Sequence, residues 1–157
     1  MFLKGGEMDS PVQRILDTKT NTLFFIAPSD SVLKAVQHLF NNKVGALLVM
    51  EGQKLVGILS ERDIINQVVL SQASADTTYV KDILQGEVIS IDPATTVQEA
   101  MMIMTEKRVR HIPVVDNGDL VGMISIGDVT KWATERCSQK ARELEDIIHY
   151  IEGDSDH

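Results

Sequence analysis

The feature that most constrains this chain is that it states one pattern twice. Slid against itself by 65 positions, residues 26–66 match residues 91–131 without a gap. Ile26, Pro28, Val32, Ala35, Val44, Leu55, Val56, Gly57, Ser60 and Asp63 recur as Ile91, Pro93, Val97, Ala100, Val109, Leu120, Val121, Gly122, Ser125 and Asp128. Apolar character is kept at most of the other core-like positions. In a fixed-period repeat each copy is one supersecondary unit that buries a face against its neighbour. Two copies predict a pseudo-twofold module rather than an open solenoid. The repeated Ser and Asp mark where such a module could bind something twice.

Hydrophobic periodicity fills in each copy. Ser10-Pro11 predicts a helix start, with Val12, Ile15 and Leu16 at helical spacing to about Asp17. Leu23 to Ile26 predicts a short strand stopped by Pro28. Val32, Ala35, Val36 and Leu39 mark one helix face behind a cap at Asp30 or Ser31. Ala46 to Met50 and Leu55 to Leu59 are apolar runs joined by a tight turn, the mark of a hairpin. Ser60 opens a helix through about Leu70. In the second copy, Val80 to Leu84 is a short helix and Val88 to Ile91 a strand. Val97, Ala100, Met101 and Met104 form a helix face, and His111 to Val115 with Leu120 to Ile124 form a strand pair. The expected fold class is therefore α/β (α+β), with two tandem β-α-β-β-α repeats and a C-terminal helix. The first repeat with its leading helix spans 10–70, a polar linker 71–79, the second repeat 80–135, and a helical extension 136–151. In that extension Leu144, Ile147, Ile148 and Ile151 form a narrow apolar stripe, for packing within the chain or against another subunit.

Composition removes several function classes. At 157 residues and 43% apolar, the chain suits one compact domain or two halves sharing a core. It has no run approaching the ~18–20 apolar residues of a membrane span. The N-terminal ten residues lack an apolar signal core. The single cysteine, Cys137, excludes an internal disulfide, and a cytoplasmic setting is expected. A net charge of −8 argues against non-specific nucleic-acid binding, while leaving room for an anionic small ligand.

The chemistry-bearing motif is Gly-apolar-apolar-Ser-x-x-Asp, at Gly57 to Asp63 and again at Gly122 to Asp128. Each copy leaves an apolar strand and opens a helix. Ser-x-x-acid is a capping pattern, in which the Ser satisfies an orphan N–H of the first turn. The same geometry suits a ligand, because a helix N-terminus attracts phosphate and a carboxylate one turn in can accept both hydroxyls of a ribose. Lys107, Arg108, Arg110 and His111 form the densest basic run, matched in copy one by the less charged stretch around Lys43. Arg62 adds a cation to the first motif, where the second has Gly127, so the two candidate sites are chemically unequal. Lys107 and Arg108 also read as a solvated helix end that complements the helix dipole. There is no Gly-Lys-Ser/Thr phosphate loop, no G-x-G-x-x-G and no Ser/His/Asp arrangement, so positive evidence for catalysis is absent.

The stretches at 110–129 and 45–64 carry a further signal. Their shared register, linker and doubled motif resemble the CBS domain pair, or Bateman module, over nearly all of residues 10–135. The chain looks like the short stand-alone bacterial type. The resemblance implies adenosine-containing ligands in clefts between the repeats, as a regulatory ligand rather than a required cofactor. AMP and ATP come first, with NAD(H) or S-adenosylmethionine satisfying the same ribose recognition. It further implies Asp63 and Asp128 as ribose binders, Ser60 and Ser125 beside them, and Arg62, Arg110 and His111 near phosphates, with Lys43 also among the ligand-binding residues. Ala46, Leu47, Ile112 and Pro113 would help line adenine pockets. Thr20 and Thr22 would give a polar contact to the base, with Gln85 and Glu87 as their counterparts at the common offset. Family members commonly pair as homodimers and signal to a protein effector, here unidentified; neither nucleic acid nor membrane is an expected partner.

Three readings stand at this point. One is a non-catalytic nucleotide sensor. The second is a ligand-free structural dimerisation module whose Ser-x-x-Asp motifs are caps only. The third is an enzyme, for which His111 is the sole candidate base.

Overall fold

The computed structural model describes residues 7–20 and 22–153. After a 3-10 turn at Glu7–Asp9, the chain forms α1 (Gln13–Thr18), β1 (Phe25–Ile26), α2 (Val32–Asn42), β2 (Ala46–Glu51), β3 (Lys54–Ser60) and α3 (Glu61–Ile64). A π-helical turn at Ile65–Val69 extends α3. The second copy gives α4 (Val80–Ile83), α5 (Val97–Lys107), β4 (His111–Asp116), β5 (Asp119–Ser125) and α6 (Ile126–Gly153). One sheet has the order β1-β2-β3, with β1 parallel and β3 antiparallel to β2. The other pairs β4 with β5 antiparallel.

The repeat is visible bond by bond. Ser31 caps α2 by accepting from Lys34 N at 3.2 Å, and Thr96 caps α5 by accepting from Glu99 N at 3.1 Å. Both helices end on a left-handed basic residue, Lys43 (φ 53°) and Arg108 (φ 54°). The N–H of Glu61 donates to Gly45 O, and that of Ile126 to Arg110 O. The β4–β5 hairpin turns on Asn117 (φ 49°) and Gly118 (φ 87°), the positive-φ pair that a tight two-residue turn requires.

Each core borrows its leading helix from the other copy. Val12, just before α1, and Ile15 and Leu16 within it pack with Ile91, Val97, Ala100, Ile112, Ile124, Val129 and Trp132. Val80 and Ile83 of α4 pack with Ile26, Val32, Leu39, Leu47, Val49 and Leu59. Backbone hydrogen bonds fix this exchange: Val12 N to Thr95 O (2.8 Å) and Val97 N to Ser10 O (2.9 Å), mirrored by Val32 N to Thr78 O (2.8 Å) and Val80 N to Asp30 O (2.9 Å). The same bonds explain a difference at the first helix. Residues 10–12 are hydrogen-bonded to the second copy, α1 begins at Gln13, and no side chain caps it.

Two other expectations are corrected. Val88 to Ile91 does not form a strand; a single bridge joins Ile91 to Val114. In copy one, Leu48 N donates to Phe24 O at 2.9 Å and opens the parallel ladder. The residue in that register in copy two is Pro113, which has no N–H to give. The final helix and the C-terminal stripe, expected as separate segments, form one 28-residue helix. No Gly or Pro lies between Val129 and Glu152 to break it. Among the described residues, no helix is long and apolar enough to cross a membrane.

Candidate functional site

Each Ser-x-x-Asp motif sits where a strand gives way to a helix. The Asp63 carboxylate oxygen Oδ2 accepts from Ser60 N (2.8 Å) and Ser60 Oγ (2.8 Å), while Asp63 N donates to Ser60 Oγ (3.3 Å). In the second copy Asp128 Oδ2 accepts from Ser125 N (2.8 Å), and Asp128 N donates to Ser125 Oγ (3.1 Å). Both motifs are therefore complete caps. The local geometry explains each Ser and engages one carboxylate oxygen of each Asp.

Beyond the caps the copies differ. The first motif faces a cleft of about 680 Å³ lined by Val56, Gly57, Ile58, Ser60, Arg62 and Asp63. The segment Leu84 to Ile89 forms another wall, and Lys107, Arg108, Val109 and His111 of the second copy complete it. Arg62, Lys107 and Arg108 thus meet Asp63 and Glu87 around one opening. At the second motif, Lys19 Nζ reaches Asp128 Oδ2 at 2.7 Å and Met123 O at 2.9 Å. Burial pushes the Asp128 carboxyl up, but the Lys19 ammonium and the Ser125 donors outweigh it, and the group lies below its ordinary value.

His111 stands between the copies. An added Cβ at Gly45 would lie 3.6 Å from its Cε1 and 3.9 Å from Glu61 Oε2. Burial holds the imidazole below its ordinary pKa. The Lys19 and Arg110 charges act in the same direction, and Asp128 and Glu61 oppose them.

The sequence-expected residues separate accordingly. Ser60, Arg62, Asp63 and His111 share the first cleft. Ser125 and Asp128 meet Lys19 at the symmetry-related place. Leu47 and Ile112 have no exposed surface and pack into opposite cores, so neither lines the cleft. Ala46 and Pro113, one residue along their strands, are also buried. Arg110 is outside the first cleft's wall, and Lys43 borders a separate shallow hollow with Phe40, Gly45 and Glu61. Thr20 and Thr22 are exposed.

Lys19 was the residue the sequence reading missed. The common offset of 65 fails before the first strand. Val12, Ile15 and Leu16 match Val80, Ile83 and Leu84 at an offset of 68, and Leu16 packs on Gly122 as Leu84 packs on Gly57. That alignment puts Lys19, not Thr22, opposite Glu87, and reverses the charge between the two places. Lys107 and Arg108, which also read as a solvated helix end, are cleft walls. Among the described residues, no group of three or more His, Cys, Asp or Glu is placed to hold a metal ion.

One β-α-β-β-α unit and a second copy whose first strand is reduced to a single bridge, with exchanged leading helices and a Ser-capped carboxylate in each, define a tandem-repeat α+β fold. The chain belongs to the CBS domain family, whose pattern matches residues 12–70 and 80–135. It is 37% identical over 129 residues to the mitochondrial CBS domain-containing protein CBSX3 of Arabidopsis thaliana. That match covers 79% of this chain and 61% of the relative's length. A solved CBS-domain structure from Burkholderia ambifaria is 38% identical with a TM-score of 0.75, over 78% of this chain and 92% of that one. A CBS domain protein from Pyrobaculum aerophilum, solved in complex with AMP, shares the fold at 23% identity and a TM-score of 0.67, over 79% of this chain and 98% of that one.

Proposed function

We propose that this CBS pair is a non-catalytic sensor that binds an adenosine nucleotide in the cleft beside Asp63. AMP and ATP are the first candidates, with NAD(H) and S-adenosylmethionine as alternatives carrying the same ribose. Occupancy favours one of two conformations or pairings of the chain, and the difference in affinity between them is what a protein effector reads. The observation that carries this reading is the cleft's composition. A carboxylate with one oxygen held by its cap and the other available to a ribose hydroxyl faces Arg62, Lys107 and Arg108 across about 680 Å³. The AMP complex of the Pyrobaculum protein supports the ligand class.

The reading as a ligand-free module has its own observation, since both Ser-x-x-Asp motifs are complete caps. Capping accounts for Ser60 and Asp63. It gives no reason for three cations from two different repeats to line the same cleft as that carboxylate.

The two places are expected to behave differently. Lys19 neutralises Asp128 and occupies the room beside it, so one nucleotide binds per chain. In Lys19→Ala the Asp128 carboxylate is released and a second, weaker binding event appears. Calorimetric stoichiometry reads this directly: one site rising to two supports the assignment, and two sites in the unaltered chain contradict it.

A pH dependence follows from His111. In the free protein the imidazole is held below its ordinary pKa of 6.5, chiefly by burial. A nucleotide phosphate in the same cleft raises that pKa, so the complex binds more protons than the free protein. Affinity then rises as pH falls from the raised pKa of the complex to the lowered pKa of the free imidazole. The phosphate titrates near the same range, so the quantity to compare is the wild type against His111→Gln. A steeper gain on acidification in the wild type is expected, and identical slopes would remove His111 from phosphate contact.

A further inference from the structure

The segment that follows each leading helix meets the other copy's motif, and it does so with opposite charge in the two copies. One leucine pins each leading helix against a strand glycine. A Cβ added at Gly122 would meet Leu16 Cδ2 at 2.7 Å, and one added at Gly57 would meet Leu84 Cδ2 at 3.0 Å. Three residues after that leucine stand Lys19 in one copy and Glu87 in the other. The backbone takes two routes there. Helix α1 runs on to Thr18, whereas α4 stops at Ile83 and Gly86 takes φ 72°. Both routes lead to a motif carboxylate: Lys19 Nζ is 2.7 Å from Asp128 Oδ2, and Glu87 lines the cleft that holds Asp63.

The two charges act on those carboxylates in opposite ways. A ribose hydroxyl bonds strongly to a carboxylate because the acceptor is charged. The Lys19 ammonium cancels that charge at Asp128. It also donates to Met123 O at 2.9 Å, and Met123 matches Ile58, a wall residue of the first cleft. Lys19 therefore crosses the room that the first cleft leaves to a ligand. Glu87 carries only acceptors, so it cannot donate to Asp63, and like charge keeps the two carboxylates apart. Among the described residues, no cation forms an ion pair with Asp63. Its charge stays available to hydroxyl donors.

We propose that the side chain at this place selects which of the two carboxylates a ligand can use: Glu87 keeps Asp63 open, and Lys19 closes Asp128. The ligand's identity rests on the nucleotide reading, whereas the selection is a property of the chain itself. Glu87 is a positioning residue in this scheme. It is exposed, so replacing it leaves both cores intact.

Two experiments separate the selection from the ligand. The first uses the protein without nucleotide and reads amine acylation by acetic anhydride with mass spectrometry. The amine introduced by Glu87→Lys is expected to label roughly threefold more slowly than in Glu87→Lys combined with Asp63→Asn, because pairing with Asp63 shields it. Lys19 is the native reference, and Asp128→Asn is expected to speed its labelling by a similar factor. Equal rates within both comparisons would overturn the selection, whatever the protein binds. The second experiment is equilibrium dialysis with AMP. Glu87→Lys is expected to lower affinity roughly tenfold. Exchanging both charges, Lys19→Glu with Glu87→Lys, is expected to reverse the order of dependence, so that Asp128→Asn then costs more affinity than Asp63→Asn. An exchanged protein that still depends chiefly on Asp63 would overturn the proposal. Absence of AMP binding in every variant, with the labelling differences intact, would remove the nucleotide reading and support the selection.

Discussion

Asp63→Ala is expected to weaken AMP binding by a factor of roughly 10²–10⁴. The change removes two hydrogen bonds from a charged carboxylate to the ribose hydroxyls. At about 1.5–3 kcal/mol for each, the loss is about 3–6 kcal/mol of binding. The same substitution removes the acceptor for Ser60 N and Oγ, and losing a cap costs about 1 kcal/mol of stability. The two contributions are separable. If Asp63 were a cap alone, the variant would melt slightly earlier and binding would not change. Asp63→Asn sharpens the distinction, because an amide oxygen can still accept from Ser60 N while the negative charge is gone. Asp128→Ala provides the contrast: with Lys19 already on that carboxylate, AMP affinity is expected to change less than twofold.

Leu16→Ala is expected to destabilise the whole protein by about 2–5 kcal/mol, measured by denaturant unfolding. Leu16 is 2% exposed and lies in the core of the repeat that follows the linker, more than a hundred residues along the chain from its contact with Gly122. A loss of that size is a large part of the ~5–15 kcal/mol that holds a typical domain. Gly122→Ala supplies the complement. An added Cβ there would stand 2.7 Å from Leu16 Cδ2, too close for the core to accept without movement, and overpacking of this kind costs about 1–3 kcal/mol. In a Leu16→Ala background the methyl group has room. The two changes together are therefore expected to cost less than their sum, and strict additivity would show that α1 does not pack on Gly122 in solution.

Much of this fold was legible because a duplicated sequence carries its own control. The paired apolar runs at 46–50 and 111–115, the helix faces that start at Val32 and Val97, and the two Ser-x-x-Asp motifs each had a second instance to confirm the first. What the repeat hid were the places where the copies diverge. Pro113 removes one ladder donor and with it the strand expected at 88–91. A three-residue insertion before β1 moves Lys19 into the place of Glu87, and a single offset along the chain cannot register it. Side-chain facing was the other limit. Period-two alternation says that Leu47 and Ala46 face opposite ways, but not which face meets a core. The structure puts Leu47 and Ile112 inside and leaves the cleft wall to Val56, Val88 and Ile89. The cleft itself draws on residues 56–63, 84–89 and 107–111, a gathering created by the exchanged helices and absent from any local stretch of sequence.

The central claim is that a ribose diol binds at Asp63, and it can be tested without altering the protein. Calorimetric titration would compare AMP with 2′,3′-dideoxy-AMP, which keeps the base and phosphate and lacks both hydroxyls. The account predicts micromolar binding of AMP, about −8 kcal/mol, and an affinity for the dideoxy analogue at least a hundredfold lower. Equal affinities would contradict it, since the phosphate and base would then be held without the carboxylate.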